Sequence, residues 1–298
     1  MTKVGFIGLG HMGKPMALNL LKAGFDLQIY DVVPHLILPL TEKGAKQAPS
    51  IQAMASEVDI IITSVQTSEQ VHDICLNPAG IFPHAKPDLL YIDCSSIDIR
   101  ITKLLHAEAE KIPIAMLDAP VSGGVAGAEA GSLTIMVGGH EKDFLRAQTI
   151  FQALGKKIVH AGSAGHGQAA KICNNLLLAI SMIGVSEAFC LAKRLGLDQK
   201  KFFEISSNAS GQCWSMTSYC PVPGILEKVP ANNHYQPGFN AKMMLKDLRL
   251  ADHAAEDVEA LIPLGTVAME LYELFVNQGS GDLDFSGIIQ LIDGKKLI

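Results

Sequence analysis

A glycine pattern near the N-terminus constrains the fold of this chain more than any other feature of its sequence. Gly8, Gly10 and Gly13 follow the apolar run KVGFI and open a stretch with the apolar spacing of a helix. A second strand-like run, DLQIYD, then ends at Asp31, 18 residues after Gly13. A glycine turn between a buried strand and a helix is typical of the first unit of a doubly wound α/β sheet. The pattern therefore predicts a Rossmann-type domain.

The same glycines predict a site for a dinucleotide. Gly8 permits the tight turn, Gly10 lets the backbone approach a pyrophosphate, and Gly13 lets helix and strand pack closely. The phosphates gain from the free N–H groups at the helix N-terminus. Asp31 accepts hydrogen bonds from an adenosine ribose and repels a 2′-phosphate, which favours NAD over NADP. On this motif alone, FAD is also a possible cofactor. The alternative without a ligand is that the glycines form only a tight turn.

Strand-like and helical stretches alternate up to about residue 160. The later strand-like runs are DIIITSV, LLYIDCS, IAMLDAPV, SLTIMVGG and KKIVHAG. Such alternation predicts a mostly parallel sheet with helices on both faces. Beyond it, helical patterns cover residues 168–195, 198–206, 241–254 and 263–277. We therefore predict an α/β fold with a Rossmann-type domain at residues 1–162 and an all-helical domain at residues 163–298.

Composition and charge exclude several classes of protein. The 298 residues are 48% hydrophobic and 18% charged with a net charge of −6, which indicates a globular core and no basic surface for nucleic acid or anionic lipid. The six cysteines are scattered and form no zinc-like grouping with the ten histidines, so we expect neither disulfides nor a metal. We expect no leader before KVGFIGLG, and the longest apolar run, Leu176 to Val185, is too short to span a bilayer. A cytoplasmic protein with small-molecule partners is predicted.

The start of the helical half contains a candidate for acid–base chemistry. Gly167, Lys171 and Asn175 in GHGQAAKICNN are spaced to line one face of a helix. A partly desolvated lysine can exchange a proton with a substrate hydroxyl near neutral to alkaline pH, and Asn175 can orient it. The alternative is a solvated lysine beside an asparagine inside the helix. The apolar neighbours LLLAI indicate a largely buried helix, so the functional and the solvated interpretation are about equally favoured.

Two further candidates are weaker as bare patterns. In DAPVSGG, the Ser122 hydroxyl and the N–H groups of Gly123 and Gly124 can donate to a small carboxylate, although a flexible turn is the commoner meaning of such a pattern. We expect no helix like the one at Gly13 to follow it, which disfavours a second phosphate loop. Lys246 and Asp247 are the second candidate: the sequence alone does not decide whether they belong to a functional site or form an ordinary surface ion pair.

Taken in order, these motifs resemble those of the β-hydroxyacid dehydrogenase family. GFIGLGHMGKPMALNLL, DAPVSGGVAGAEAGSLTIMVGG, GHGQAAKICNN and KDLRLA are similar to its cofactor, substrate, catalytic and second cofactor motifs, and the resemblance covers essentially the whole chain. It implies that Lys171 is the catalytic acid/base and Asn175 its supporting amide. It also implies that Asp31 stands where NADP-using relatives tend to carry Asn-Arg, in agreement with NAD.

The resemblance extends the set of site residues. The predicted cofactor-binding residues are Gly8, Leu9, Gly10, His11, Met12, Gly13, Asp31, Val65, Gln66, Gln70, Ser96 and Lys246. The predicted substrate-binding residues are Ser122, Gly123, Gly124, Trp214, Tyr219 and Asp247. Without the resemblance, Trp214 is equally a core or a surface aromatic residue. Many relatives have Leu-Pro in place of Val65-Gln66, but the contact there is largely with backbone, so we expect the cofactor site to survive.

One loop narrows the expected activity. GQCWSMTSYCPVPGILEKVPANNHYQPGF is similar to the loop of family members that act on 3-hydroxyisobutyrate. The resemblance implies NAD-dependent oxidation of 3-hydroxyisobutyrate to methylmalonate semialdehyde, a step of valine catabolism, by a homodimer or homotetramer that pairs through the helical domain. A sister enzyme acting on L-serine, 3-hydroxypropionate or tartronate semialdehyde is the alternative within the family. A redox sensor that binds NAD(H) without turnover is the alternative from another class.

Overall fold

The structure is a computed structural model that describes residues 2–294. The chain forms two compact units that divide between Lys171 and Ile172. This division lies inside the long helix His166–Arg194, so the start of that helix belongs to the first unit and the rest to the second. The domain bounds 1–162 and 163–298 stay a prediction.

Nine strands form one sheet in the first unit. They are β1 (Lys3–Ile7), β2 (Asp26–Tyr30), β3 (Lys46–Gln47), β4 (Ile60–Thr63), β5 (Leu90–Asp93), β6 (Ala115–Asp118), β7 (Val121–Ser122), β8 (Leu133–Gly139) and β9 (Gly155–Gly162). Their order is β3-β2-β1-β4-β5-β6-β8-β7, and β9 pairs with β8. Strands β1 to β6 are parallel to one another, whereas β8 runs antiparallel to β6 and β7. The predicted α/β fold class with a Rossmann-type sheet is confirmed.

Helices cover both faces of this sheet. They are α1 (Gly13–Lys22), α2 (Pro34–Thr41), α3 (Ile51–Glu57), α4 (Ser68–Leu76), α5 (Ile99–Ala109), α6 (Gly124–Glu129), α7 (Glu141–Arg146) and α8 (Gln148–Leu154), with a 3-10 turn at Phe82–His84. Successive side chains of a strand point to opposite faces, and β4 shows the result. Ile60 and Ile62 belong to one buried apolar cluster and Ile61 to another. Two cores therefore sandwich the sheet, which explains the continuous apolar runs in the sequence.

The second unit is helical, as predicted. Its helices are the greater part of α9 (His166–Arg194), then α10 (Gln199–Ser206), α11 (Trp214–Thr217), α12 (Ala241–Asp257), α13 (Pro263–Phe275) and α14 (Ile288–Ile292), with 3-10 turns at Pro230–Asn233 and Phe285–Gly287 and a π-helical turn at Val276–Ser280. Met182 of α9, Met244 of α12 and Tyr272 of α13 meet in its core. The long loop before α12 is ordered by packing: the Tyr235 hydroxyl donates to the carbonyl of Pro221 over 2.9 Å.

Helix α9 has the length that the helical pattern at residues 168–195 predicts, but apolar residues occupy more of it than the run Leu176 to Val185. It has 29 residues with a mean hydropathy of 1.8 over its most apolar window, which by length and composition alone suffices to cross a membrane. The expectation based on Leu176 to Val185 was wrong in this respect, because the apolar composition of the helix continues beyond that run. Half of the window is buried inside the protein, as in the core helix of a globular protein. That no membrane is among the partners stays a prediction.

The carboxyl ends of the parallel strands meet at one edge of the sheet. The register pairs Ile7 with Tyr30 and Thr63, and it pairs Asp93 with Thr63 and Asp118. In open α/β sheets, ligands bind along this edge, at the point where the strand order reverses. Here that point lies between β1 and β4.

Candidate active site

The glycine turn after β1 has the shape that a dinucleotide requires. Gly8 has φ +94°, and a Cβ there would lie 2.3 Å from the carbonyl oxygen of Ser64. A Cβ on Gly13 would lie 1.8 Å from the carbonyl oxygen of Gly8, so α1 packs directly on the turn. A Cβ on Gly10 would meet nothing within 4 Å. Two of the glycines thus serve packing, and the third leaves the backbone open to a pyrophosphate.

Asp31 follows β2 and holds this turn in place. Its Oδ2 accepts a hydrogen bond from the N–H of Leu9 over 2.6 Å, and its Oδ1 accepts one from the N–H of Val33 over 2.8 Å. Each carboxylate oxygen has a further lone pair, so Asp31 can anchor the turn and still accept hydrogen bonds from ribose hydroxyls. The structure therefore brings Asp31 and the glycine turn together, as the sequence predicts.

The loops after β4 and β5 reach the same edge. The N–H of Val65 donates to Ser95 Oγ over 3.0 Å, which links the Val65 loop to the residue before Ser96. The side-chain oxygen of Gln70 accepts hydrogen bonds from the N–H groups of Gln66 and Thr67 over 2.9 and 3.2 Å and closes a capping box at the start of α4. The observed role of Gln70 is thus to order the backbone of Gln66.

Asp93, which the sequence analysis missed, lies beneath these loops. It is fully buried, and its Oδ1 accepts hydrogen bonds from Thr63 Oγ1 over 2.8 Å and from the N–H of Ser95 over 3.0 Å. Its Oδ2 has no hydrogen-bond partner among the described residues. Burial raises the pKa of Asp93 to about 6, although the hydrogen bonds from Ser95 and Thr63 act in the opposite direction. An acidic residue at the end of the buried run LLYID was the available signal.

The DAPVSGG segment forms a turn with exposed donors. Ser122 ends β7, and Gly123 and Gly124 have φ of +138° and +62°, a backbone that glycine adopts without strain. Helix α6 begins at Gly124, where no helix like the one at Gly13 was expected; α6 has six residues and α1 has ten. The segment GVAGAE is rich in alanine and glycine and has no apolar period to signal a six-residue helix. Its first N–H groups have no partner within the helix, and with the Ser122 hydroxyl they fit a carboxylate.

The burial of Lys171 decides between the two interpretations of this residue. It lies in the second turn of α9 and is only 9% exposed, which removes the solvated alternative. Asn175 lies one turn later, and its Nδ2 donates to Asp247 Oδ2 over 2.5 Å while its Oδ1 accepts from Asn174 over 3.0 Å. Lys246 Nζ is 3.6 Å from Asp247 Oδ1, but Asp247 is buried, so the two do not form an ordinary surface ion pair.

Trp214 and Tyr219 form an aromatic stack in the second unit. Their ring centroids are 4.9 Å apart with an interplanar angle of 19°, and Tyr219 stacks in turn on Phe285. The Tyr219 hydroxyl donates to Oδ2 of the buried Asp284 over 2.9 Å. Burial raises the pKa of Asp284, and its hydrogen bonds from Ser286 lower it. Asp284 is a second residue that the sequence analysis missed.

The start of α9 is tied to the sheet by two buried side chains that the sequence analysis also missed. Asp118 accepts hydrogen bonds from the N–H groups of Gly165 and Gln168 over 2.9 and 3.0 Å and lies 3.0 Å from His106 Nε2. The Gln168 side chain accepts from the N–H of Ile97 and donates to the carbonyl of Ser95. Between residues 2 and 294, no three His, Cys, Asp or Glu side chains are grouped to hold a metal ion.

Family profiles match both parts of the chain. Residues 3–162 match a profile described as the NAD binding domain of 6-phosphogluconate dehydrogenase. Residues 165–292 match one described as the NAD-binding domain of NADP-dependent 3-hydroxyisobutyrate dehydrogenase. The chain belongs to the β-hydroxyacid dehydrogenase family. The resemblance inferred from the four motifs is thereby confirmed.

Individual β-hydroxyacid dehydrogenases resemble the chain over nearly its whole length. NAD-dependent L-serine dehydrogenase from Pseudomonas aeruginosa is 43% identical over 293 residues, covering 98% of either chain. Human mitochondrial 3-hydroxyisobutyrate dehydrogenase is 45% identical over 291 residues, covering 98% of this chain and 87% of its own. The solved structure of 3-hydroxyisobutyrate dehydrogenase from Mycobacterium tuberculosis with L-serine has a TM-score of 0.93 and 41% identity, covering 98% of this chain and 99% of its own.

Membership in the β-hydroxyacid dehydrogenase family sets the reaction class. The chain is an oxidoreductase that acts on the CH–OH group of a small hydroxy acid and uses a nicotinamide cofactor. The glycine turn and Asp31 show that its residues fit such a cofactor.

Proposed function

We propose that this protein oxidises 3-hydroxyisobutyrate to methylmalonate semialdehyde with NAD as the oxidant. The observation that carries the proposal is the burial of Lys171 at the start of α9, in the same compact unit as the glycine turn and the Ser122 segment. Lysine is almost never buried without a paired or chemical role. The relatives named for 3-hydroxyisobutyrate in mammals and mycobacteria support the substrate.

The proposed roles follow from the groups that each residue presents. Ser122 Oγ and the N–H groups of Gly123 and Gly124 donate hydrogen bonds to the substrate carboxylate. Lys171 Nζ takes the proton of the substrate hydroxyl during oxidation and returns it during reduction. Asn175, fixed by its bond to Asp247, orients Lys171 and the hydroxyl. When bound, the nicotinamide supplies the acceptor for the hydride that leaves the hydroxyl-bearing carbon.

The other predicted site residues keep their proposed roles. We propose that Trp214 and Tyr219 contact the substrate and that Lys246 serves the nicotinamide end of the cofactor. The residues proposed to line the cofactor are Gly8, Leu9, Gly10, His11, Met12, Gly13, Asp31, Val65, Gln66, Gln70 and Ser96. We propose NAD rather than NADP because the carboxylate of Asp31 is fixed beside the glycine turn, where it repels a 2′-phosphate.

L-serine is the second candidate substrate. A relative from Pseudomonas aeruginosa is named for L-serine, and a solved relative is described with L-serine. L-serine and 3-hydroxyisobutyrate both place a primary alcohol one carbon away from the carbon that bears the carboxylate. They differ at that carbon, where one has an ammonium and the other a methyl group. An ammonium and a methyl group differ in charge and in hydrogen bonding, so the pocket beside that carbon decides between these two substrates. 3-Hydroxypropionate differs from 3-hydroxyisobutyrate by a single methyl group, which contributes only about 1 to 3 kcal/mol to discrimination, so overlapping activities are expected for that pair.

A substrate panel combined with one variant tests the proposal. The purified protein is assayed by NADH absorbance with 3-hydroxyisobutyrate, L-serine and 3-hydroxypropionate, and in the reverse direction with tartronate semialdehyde. We expect the highest kcat/KM with 3-hydroxyisobutyrate. Lys171→Ala should lower kcat by at least about 100-fold and leave NADH binding intact. Lys193→Ala, which changes an exposed lysine near the other end of α9, is the matched control and should retain kcat.

Each contrary outcome has a defined meaning. A Lys171→Ala variant with near-normal kcat contradicts the assignment of the acid/base. A higher kcat/KM with L-serine replaces the proposed substrate by the second candidate. NADH binding without turnover on the whole panel supports the redox sensor instead.

We further propose a homodimer or homotetramer that pairs through the helical half. The support is a set of large apolar side chains exposed on the second unit: Leu177, Leu261, Leu264, Val267 and Leu274. Light scattering should give two or four chains per particle, and a monomer at working concentrations would contradict the proposal. A cytoplasmic location stays a prediction, since the human relative is named as mitochondrial and the Pseudomonas relative's name gives no location.

A further inference from the structure

The carboxylate of Asp118 is buried against the first turn of the helix that carries Lys171. It accepts three hydrogen bonds, and two of the three donors are the backbone N–H groups of Gly165 and Gln168. N–H groups at the start of a helix have no partner within the helix, so an external acceptor decides where the helix begins. A carboxylate also interacts favourably with the positive end of the helix dipole. Asp118 therefore fixes the start of α9.

Two glycines enclose this carboxylate. A Cβ on Gly138 would lie 2.6 Å from Asp118 Oδ1, and a Cβ on Gly167 would lie 2.8 Å from Oδ2. A Cβ on Gly167 would also lie 2.4 Å from the carbonyl oxygen of Asp118. The start of α9 thus packs against the backbone of β6 with no side chain between them.

Gln168 gives α9 a second attachment, to the loop after β5. Its Oε1 accepts from the N–H of Ile97 over 3.2 Å, its Nε2 donates to the carbonyl of Ser95 over 2.8 Å, and the side chain is fully buried. Asp118 thus attaches the first turn of α9 to β6, and Gln168 attaches it to the loop after β5. Lys171 lies three residues after Gln168, less than one helical turn away.

His106 completes the arrangement from α5. Its Nε2 lies 3.0 Å from Asp118 Oδ1, and because a carboxylate only accepts hydrogen bonds, Nε2 is the donor. The ring is buried, so it holds the carboxylate in one orientation. Asp118 also begins the DAPVSGG segment, four residues before Ser122. One side chain thus connects the turn proposed to hold the substrate carboxylate with the helix proposed to hold the acid/base.

We infer that Asp118 is a positioning residue for Lys171, with His106 orienting its carboxylate. The inference rests on the dehydrogenase function proposed above. A reacting group displaced by about 1 Å can lose about 100-fold in rate, so a carboxylate that sets the helix start affects turnover without touching substrate.

The principal test is Asp118→Asn, which retains the shape of the side chain but turns one acceptor into a donor that faces a backbone N–H. We expect kcat to fall between about 10-fold and 100-fold, with KM for the hydroxy acid and the Kd of NADH unchanged. Amide hydrogen exchange at Gly165 and Gln168 should become faster. The control is Asp198→Asn, which removes the exposed carboxylate that caps α10 at Lys201 and should leave kcat unchanged.

The partner residue gives a second test that does not depend on the folding of Asp118→Asn. His106→Leu removes the donor and should lower kcat in the same range as Asp118→Asn. His106→Gln provides an amide donor and should recover most of the loss. If His106→Leu retains full kcat, or if His106→Gln is as slow as His106→Leu, the inference is overturned.

A double-mutant cycle separates positioning of Lys171 from any independent effect. In the Lys171→Ala background, Asp118→Asn should leave the residual rate unchanged, because the group that it positions is gone. An equal decrease in both backgrounds overturns the inference. The proposed function fails in a different way: there, the wild-type protein turns over no hydroxy acid, or Lys171→Ala alone retains normal kcat.

Discussion

The buried carboxylate of Asp93 leads to a quantitative prediction about stability and pH. Asp93→Asn keeps an oxygen that can accept from Thr63 Oγ1 and from the N–H of Ser95. It removes the ability to ionise, and it places an NH₂ group where Oδ2 has no hydrogen-bond partner among the described residues. The variant therefore resembles the protonated form of the wild-type side chain at every pH.

The magnitude follows from the pKa. Burial raises the pKa of Asp93 from its ordinary value of 3.8 to about 6 in the folded protein. At 1.36 kcal/mol for a tenfold change in acidity, this difference corresponds to about 3 kcal/mol. The folded state prefers the protonated form, so the stabilising contribution is complete below pH 3.8 and is lost as the pH rises through about 6. The asparagine variant should gain about 2 kcal/mol relative to wild type between pH 4 and pH 7.

The assay is urea unfolding of both proteins across this pH range, followed by circular dichroism. The difference between variant and wild type cancels the titration of all groups that the two proteins share. Ile62→Val, which removes a buried methyl group from β4 and changes no ionisable group, is the control and should give a difference that does not change with pH. Carbon-13 NMR of labelled aspartate carboxyls measures the pKa of Asp93 directly. A stability difference independent of pH, or an Asp93 carboxyl that titrates near 4, would refute the reasoning.

Three further predictions concern the ligand sites. Gly10→Ala should weaken NADH binding without lowering Tm, because its Cβ meets no protein atom within 4 Å. Gly13→Ala should lower Tm, because its Cβ would lie 1.8 Å from the carbonyl oxygen of Gly8. NADH titration and thermal melts of both variants check these two predictions. Asp31→Asn should reduce the ratio of kcat/KM for NAD over NADP by about tenfold, and an unchanged ratio would count against the role of Asp31. Tyr219→Phe leaves a lone pair of the buried Asp284 without its donor, so we expect a loss of about 1 to 3 kcal/mol in stability and a higher KM for the hydroxy acid, measured by unfolding and by steady-state kinetics.

The fold could be predicted from the sequence where the signal is local. Buried parallel strands are continuous apolar runs, and the glycine turn at Gly8 requires a left-handed backbone, so both leave marks within a few residues. Short elements carry no such mark. Strand β3 has two residues, and α6 has the composition of a loop, which is why the helix after Gly123 was not expected.

The site could be predicted only in part, for a similar reason. Spacing placed Lys171 and Asn175 on one helix face, but burial, which no pattern shows directly, decided between a solvated and a functional lysine. Asp118 accepts a hydrogen bond from Gly165, 47 residues later in the chain, and Asp284 accepts one from a tyrosine 65 residues earlier. Contacts over such separations depend on the tertiary fold, so a local reading of either acid finds only an ordinary charged residue.

Trp214 is the single tryptophan of the chain, and this makes the aromatic stack an optical reporter. Its indole is 51% exposed and lies parallel to the ring of Tyr219, so its emission depends on solvent access and on the geometry of the stack. A ligand that contacts this pair will quench or shift the fluorescence, whereas one that binds elsewhere in the second unit will not. The fluorescence of the unmodified protein can therefore show whether a hydroxy acid binds at this stack even when the protein does not oxidise it. Steady-state kinetics does not provide this measurement.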